Sequence, residues 1–183
     1  ELETTMFSAD MDNDGDIDIV SGELLYSNLR WYENDGTGSF TNHTISEYSG
    51  QINSVTQADF NNDGYIDILA VNQTNTLRWY KNTHDGEFVR YDINSSISKI
   101  SDAYTTDLDS DGDIDFIVVS GAFGEGMFWF ENTSNNVFLQ HKITNSHFYC
   151  IALTTADIDK DGDMDILTNP WDDSFDFIVF ENN

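Results

Sequence analysis

The chain has 183 residues, 39% of them hydrophobic and 14% aromatic, which is enough apolar surface for a core and excludes a globally disordered polymer. Its 34 acidic side chains against 7 basic ones give a formal net charge of −27, a surface that repels nucleic acid and anionic membranes and attracts cations. No stretch reaches the ~18 apolar residues of a membrane span, and the single cysteine, Cys150, has no partner for an internal disulfide. Set among Phe148, Tyr149 and Ile151, Cys150 reads as a buried structural thiol and leaves the redox compartment open. The opening Glu1-Leu2-Glu3-Thr4 does not read as a signal peptide. Lacking an initiator Met, the chain reads as a processed protein or a piece of a longer one.

In chain order, the first predicted strand is the stretch at residues 3–9, which runs into the acidic loop Asp10-Met11-Asp12-Asn13-Asp14-Gly15-Asp16-Ile17-Asp18. An apolar run at 17–20 is the second strand, the aromatic stretch around Trp31-Tyr32-Glu33-Asn34 the third, and residues 40–45, after a Gly-rich turn at 34–38, the fourth. The series returns with strands at 52–58, 66–71, around Trp79-Tyr80-Lys81-Asn82 and at 88–93. It returns again at 103–106, 114–119, around Trp129-Phe130-Glu131-Asn132 and at 138–143. The last copy has strands at 150–156, 164–167 and around Val179-Phe180-Glu181-Asn182, and lacks the outer strand. The first aspartates of the loops (Asp10, Asp59, Asp107, Asp157) step by 49, 48 and 50 residues, and the aromatic marker steps by 48, 50 and 50. Two markers on one beat define four repeats, at about 1–49, 50–98, 99–147 and 148–183, within a single repeat domain. Four short strands per ~50 residues with no helical period predict an all-β fold, a β-propeller of four-stranded antiparallel blades.

Each loop offers oxygens at positions 1, 3, 5 and 9, with glycine at position 6 for the sharp turn. Hard Ca²⁺ takes six to eight oxygens, and carboxylates this close on a tight loop can wrap it. The predicted side-chain ligands are Asp10, Asp12, Asp14 and Asp18; Asp59, Asn61, Asp63 and Asp67; Asp107, Asp109, Asp111 and Asp115; and Asp157, Asp159, Asp161 and Asp165. Position 7 (Asp16, Tyr65, Asp113, Asp163) contributes its carbonyl, a role open to tyrosine as to any residue. A helix-loop-helix site needs a bidentate Glu at position 12, where this chain has Ser21, Ala70, Val118 and Thr168. Plain solvated turns are also rich in Asp, Asn and Gly, but four or five carboxylates within nine residues repel strongly without a cation. Mg²⁺ prefers a water-rich octahedral shell and suits the loops less well. One structural Ca²⁺ per loop, about four in all, brings the charge to roughly −19.

These residues resemble the FG-GAP/VCBS repeat family, whose members carry an Asp-x-Asp-x-Asp-Gly-x-x-Asp loop between the first two strands of a blade. The resemblance spans essentially the whole chain and implies a propeller, commonly of seven blades, one Ca²⁺ per blade and an extracellular or cell-surface setting. Integrin α-chain heads, lectins and large bacterial surface proteins look like this. Asn61, standing where an aspartate is usual, should weaken the second site without abolishing it. Four repeats do not make a seven-bladed ring from one copy.

Trp31, Trp79 and Trp129 sit at one position of the third strand and read as packing between blades rather than as a sugar platform. Trp171 falls off the beat, in Asn169-Pro170-Trp171-Asp172-Asp173, and is the candidate ligand contact. The loops at 21–28 and 121–126 are the usual place for recognition on such a scaffold. His43, His84, His141 and His147 are paired with no nucleophile and read as surface residues, so no catalytic residue is assigned and the chain is not expected to be an enzyme. Four sequons, at Asn42, Asn72, Asn94 and Asn132, are about what this Asn- and Ser/Thr-rich composition gives by chance. The expected function is a calcium-stabilised binding or adhesion module that recognises a glycan or protein. Alternatives are a structural subunit that joins further copies of itself through an open blade edge, or a non-catalytic domain of a larger secreted enzyme such as a polysaccharide lyase.

Overall fold

Short runs of β-branched and aromatic residues, cut at regular intervals by Asp-, Asn- and Gly-rich turns, favour hairpins over any long element. In the computed structural model every regular element among the described residues is accordingly a strand. The structure describes residues 5–23, 28–47, 51–72, 74–93, 95–122, 126–133, 137–144, 150–170 and 177–182.

Residues 1–95 form one compact unit of two sheets. The first sheet takes β1 (Thr5–Ala9), β2 (Asp18–Gly22), β3 (Asn28–Asn34) and β4 (Phe40–Glu47) in sequence order, all antiparallel. The second repeats it with β5 (Ile52–Ala58), β6 (Asp67–Asn72), β7 (Leu77–Asn82) and β8 (Phe88–Ile93). Residues 96–183 form a second compact unit. It holds β9 (Ile100–Thr106), β10 (Asp115–Ser120), β11 (Met127–Thr133) and β12 (Val137–Thr144), then a three-stranded sheet of β13 (Cys150–Ala156), β14 (Asp165–Pro170) and β15 (Ile178–Phe180). Each sheet is an up-and-down meander, the strand plan of a propeller blade.

Burial follows position in the blade. Every residue of β6 and of β10 is buried, because both faces of a second strand are covered, whereas β4, β8 and β12 are largely exposed. The core of the first unit joins its two sheets: Met11, Val20, Leu29 and Trp31 from the first pack with Ile52, Val55, Ile68, Ala70 and Tyr80 from the second. In the second unit, Leu108, Ile117, Val119 and Met127 pack with Ile166, and Trp129 and Phe180 lie against that cluster. Trp31 and Trp129 therefore pack between the blades of their own units, and Trp79 is buried at 2% exposure.

The register shows where the acidic loops belong. Asp18 pairs with Ala9, Asp67 with Ala58, Asp115 with Thr106 and Asp165 with Ala156. The ninth loop residue is thus the first residue of the second strand, one place later than the apolar run suggests. Ile17 and Met164 stay outside the strands and are 54% and 38% exposed. Cys150 opens β13, and its side chain lies outside the described ones.

Candidate metal centre

Each loop is closed by its ninth residue. Asp18, Asp67 and Asp115 are buried to 1% exposure or less, and a buried carboxylate needs donors. Its Oδ1 accepts from the backbone N–H of the asparagine that ends the third-strand marker: Asn34 at 2.8 Å, Asn82 at 2.8 Å, Asn132 at 2.7 Å and Asn182 at 3.0 Å. In the first, third and fourth loops Oδ2 accepts from the N–H of the second loop residue, Met11 at 3.1 Å, Leu108 at 3.1 Å and Ile158 at 2.9 Å. The indoles of Trp79 and Trp129 donate to Oδ2 of Asp67 and Asp115, at 3.0 and 2.9 Å. Trp31 Nε1 is buried with no such partner. The marker asparagines also tie neighbouring blades: Asn82 Nδ2 donates to Met11 O at 2.7 Å, and Asn182 Nδ2 to Leu108 O at 2.8 Å.

The tip of each loop curls through two left-handed residues. Position 4 has φ of 61° at Asn13, 56° at Asn62, 60° at Ser110 and 68° at Lys160, and the position-6 glycines lie between 88° and 106°. A Cβ on any of those four glycines would meet nothing within 4 Å, so the demand for glycine is conformational, not spatial. The curl lets carboxylates accept from the loop's own backbone. Asp10 takes Asp14 N and Gly15 N at 3.2 and 3.0 Å, and Asp107 takes Gly112 N at 3.1 Å.

Three sets of three carboxylates each bring one oxygen within 4.8 Å of the others: Asp10, Asp12 and Asp14; Asp107, Asp109 and Asp115; and Asp157, Asp159 and Asp165. Asp18, Asp111 and Asp161 stand in their loops but outside these triplets. Crowding is visible in acidity. Burial, then the neighbouring carboxylates, hold Asp12 and Asp109 above the usual range. Burial pushes Asp115 up to about 6 against hydrogen bonds from Asn132, Leu108 and Trp129, and Asp67 likewise reaches about 6. Asp165, hydrogen-bonded by Asn182 N–H and Ile158 N–H, is held below that range. In the third loop Asp107 Oδ1 is buried with no hydrogen-bond partner. All-oxygen donors, carboxylate crowding and an orphaned oxygen fit a hard divalent cation.

The second loop is built differently. Among the described residues no carboxylate triplet of this kind includes Asp59, Asp63 or Asp67. Asn61 Nδ2 donates to Asp67 Oδ2 at 3.2 Å, leaving Asn61 Oδ1 buried without a partner. Asp63 Oδ2 lies 3.3 Å from Lys81 Nζ and 3.0 Å from His84 Nε2. Burial favours the neutral acid, but hydrogen bonds from His84, Tyr65 N–H and Lys81 outweigh it and hold Asp63 below the ordinary range. Tyr65, at position 7, stacks on His84 at 3.8 Å and 13°. Asp16, at position 7 of the first loop, instead lies against the turn at Gly36. The roles of Lys81 and His84 were not anticipated. The available signal was Lys at the third place of a marker that otherwise reads Glu33, Glu131 and Glu181.

Outer-strand histidines are likewise engaged. His43 stacks on Trp31 at 4.7 Å and hydrogen-bonds Glu33 at 2.7 Å, and His141 repeats this with Trp129 and Glu131 at 4.7 and 2.7 Å. In the second blade Tyr91 takes the stacking place on Trp79, at 4.8 Å. In the second unit a pocket of about 260 Å³ opens between blades, lined by Leu108, Asp109, Trp129, His141, Ile166 and Phe180. It shares Asp109 with the third carboxylate triplet. Trp171, His147 and half of each of the loops at 21–28 and 121–126 lie outside the described residues.

Four-stranded meanders, each with an acidic loop between first and second strands, define a repeat protein of the β-propeller class. Residues 10–70, 59–118 and 107–168 match the FG-GAP-like repeat, and the chain belongs to that family. No curated protein matches it. Among solved structures it is similar to a lectin of Agrocybe aegerita, described for specific recognition of non-reducing terminal N-acetylglucosamine. The TM-score is 0.66 at 16% identity, over 91% of this chain and 46% of the lectin. The chain thus spans less than half of that lectin's length, and the likeness is one of fold.

Proposed function

We propose that this chain is a calcium-stabilised recognition module of an extracellular or cell-surface protein, with a glycan as its ligand. The observation that carries the reading is the pocket between blades of the second unit. It sets an indole, Trp129, and an imidazole, His141, beside Asp109 of an acidic loop, a pairing of apolar face and polar rim suited to a sugar ring. The propeller lectin neighbour supports a glycan over a protein as ligand. Calcium is the cation because the loops offer crowded carboxylates, and an extracellular setting supplies it at the concentration such modules need. Extracellular calcium modules have Kd of about 10⁻⁴–10⁻³ M, which fill outside cells and stay largely empty in cytosol.

The residues that would hold calcium are Asp10, Asp12 and Asp14, then Asp107, Asp109 and Asp115, then Asp157, Asp159 and Asp165. Bound there it supplies charge neutralisation and fixes loop shape; the ligand contacts belong to the protein. A glycan array probed with the full chain in millimolar calcium, and again in EDTA, tests the reading. Binding to a restricted set of glycans, lost in EDTA and weakened in His141→Ala, is the expected result. Calcium-independent silence across the array would overturn glycan recognition.

A further inference from the structure

We infer that the second acidic loop takes no divalent cation and is closed instead by two side chains of its own blade, Lys81 and His84. The inference rests on calcium binding by the other three loops and marks where this repeat departs from them.

Four positions differ together. Position 3 is Asn61 where the other loops have Asp12, Asp109 and Asp159. Position 7 is Tyr65 where they have Asp16, Asp113 and Asp163. The third-strand marker has Lys81 in place of Glu33, Glu131 and Glu181. Two residues beyond the marker asparagine, the turn has His84 where the first repeat has Gly36. The other loops each carry five carboxylates; this one carries three, Asp59, Asp63 and Asp67.

The geometry explains why the changes belong together. Lys81 Nζ and His84 Nε2 converge on Asp63 Oδ2, the position-5 oxygen a cation would use, at 3.3 and 3.0 Å. A divalent ion on that oxygen would sit beside an ammonium, a repulsion the remaining donors do not offset. Tyr65 holds the imidazole in place by stacking at 3.8 Å. In the first repeat a Cβ on Gly36 would meet the tip of the Asp16 carboxylate, which would have to move aside. Tyr65 and His84 thus stand as a stacked pair where the first repeat has Asp16 and Gly36. The amide of Asn61 then spends its N–H on Asp67 Oδ2, leaving one neutral oxygen where the first repeat has the Asp12 carboxylate.

The test counts ions. Calorimetric titration of the full chain with calcium chloride, checked by native mass spectrometry, should give three ions per chain. Asp14→Asn should lower the count to two, and Asp63→Asn should leave it at three. Asp63→Asn should also lower Tm by the same amount in calcium and in EDTA, since the bonds it breaks are to protein. Asp14→Asn should lower Tm only in calcium. Four ions in the wild type, falling to three in Asp63→Asn, would overturn this inference and leave calcium binding intact. No ion in any variant would overturn the calcium reading itself, and this inference with it.

Discussion

Asp115 shows how much one carboxylate is asked to do. It is buried, it accepts from Leu108 N, Asn132 N and Trp129 Nε1, and it belongs to a triplet of converging carboxylates. Its folded pKa of about 6 lies above the ordinary aspartate value, so between those two values the folded chain binds the extra proton. Stability therefore falls as pH rises from about 4 to about 6, by up to about 3 kcal/mol for a shift of about two units. In EDTA, urea unfolding of wild type and Asp115→Asn across that range should show the wild type losing its relative advantage as pH rises. A parallel pair of curves would remove Asp115 as the source. Asn182→Ala tests the partner residue: it frees Leu108 O, and the expected cost is about 1–3 kcal/mol in chemical unfolding. The sequence marks both positions by repetition, yet it does not say that they are bonded, because the contact crosses strands and blades. The same limit hid His84: a lone histidine in a turn has no periodic signature, and only the fold brings it to Asp63.

At the scale of strands, the order within a blade was legible because turn chemistry and β-branched runs alternate on a fixed beat. The start of each second strand was not, since Ile17 and Met164 read as strand residues but lie exposed before the closing aspartate. Strand position also decides what a tryptophan is worth. Trp79 is 2% exposed and bonded to Asp67, so Trp79→Ala should cost about 3–5 kcal/mol, whereas Trp129, half-buried beside the pocket, should cost less. Denaturant midpoints of the two variants check the order. Sequons sort the same way. Asn72 and Asn132 are 1% and 2% exposed, so neither is open to modification in the folded chain, while Asn42 on β4 is exposed. On secretory expression, glycopeptide mapping should find Asn42 modified ahead of Asn72 and Asn132.

For the whole molecule, repetition was the strongest signal in the chain, and it carried the all-β architecture and the family directly. Charge is the other global property. With a formal −27, mostly set in loops, removal of divalent ions should lower Tm, and added salt should recover part of the loss by screening. An unchanged Tm in EDTA would sink the stabilising role of calcium. Asn61 already set the second loop apart; what spacing did not disclose is how Lys81 and His84 reach Asp63, because that depends on which side chains the neighbouring turn and strand present.

Inside each compact unit the latch from Asn82 to Met11 O, or from Asn182 to Leu108 O, grips a loop residue whose own N–H is already held by the closing aspartate. Repeat arrays behave as chains of nearest-neighbour couplings, and this latch is such a coupling carried by a single residue. Order imposed on the first loop is inherited by the second blade, whose own loop is fastened by Lys81 and His84. The sister unit runs the same relay from the third blade to the fourth, so titrating one loop should sharpen hydrogen-exchange protection in the blade that follows it.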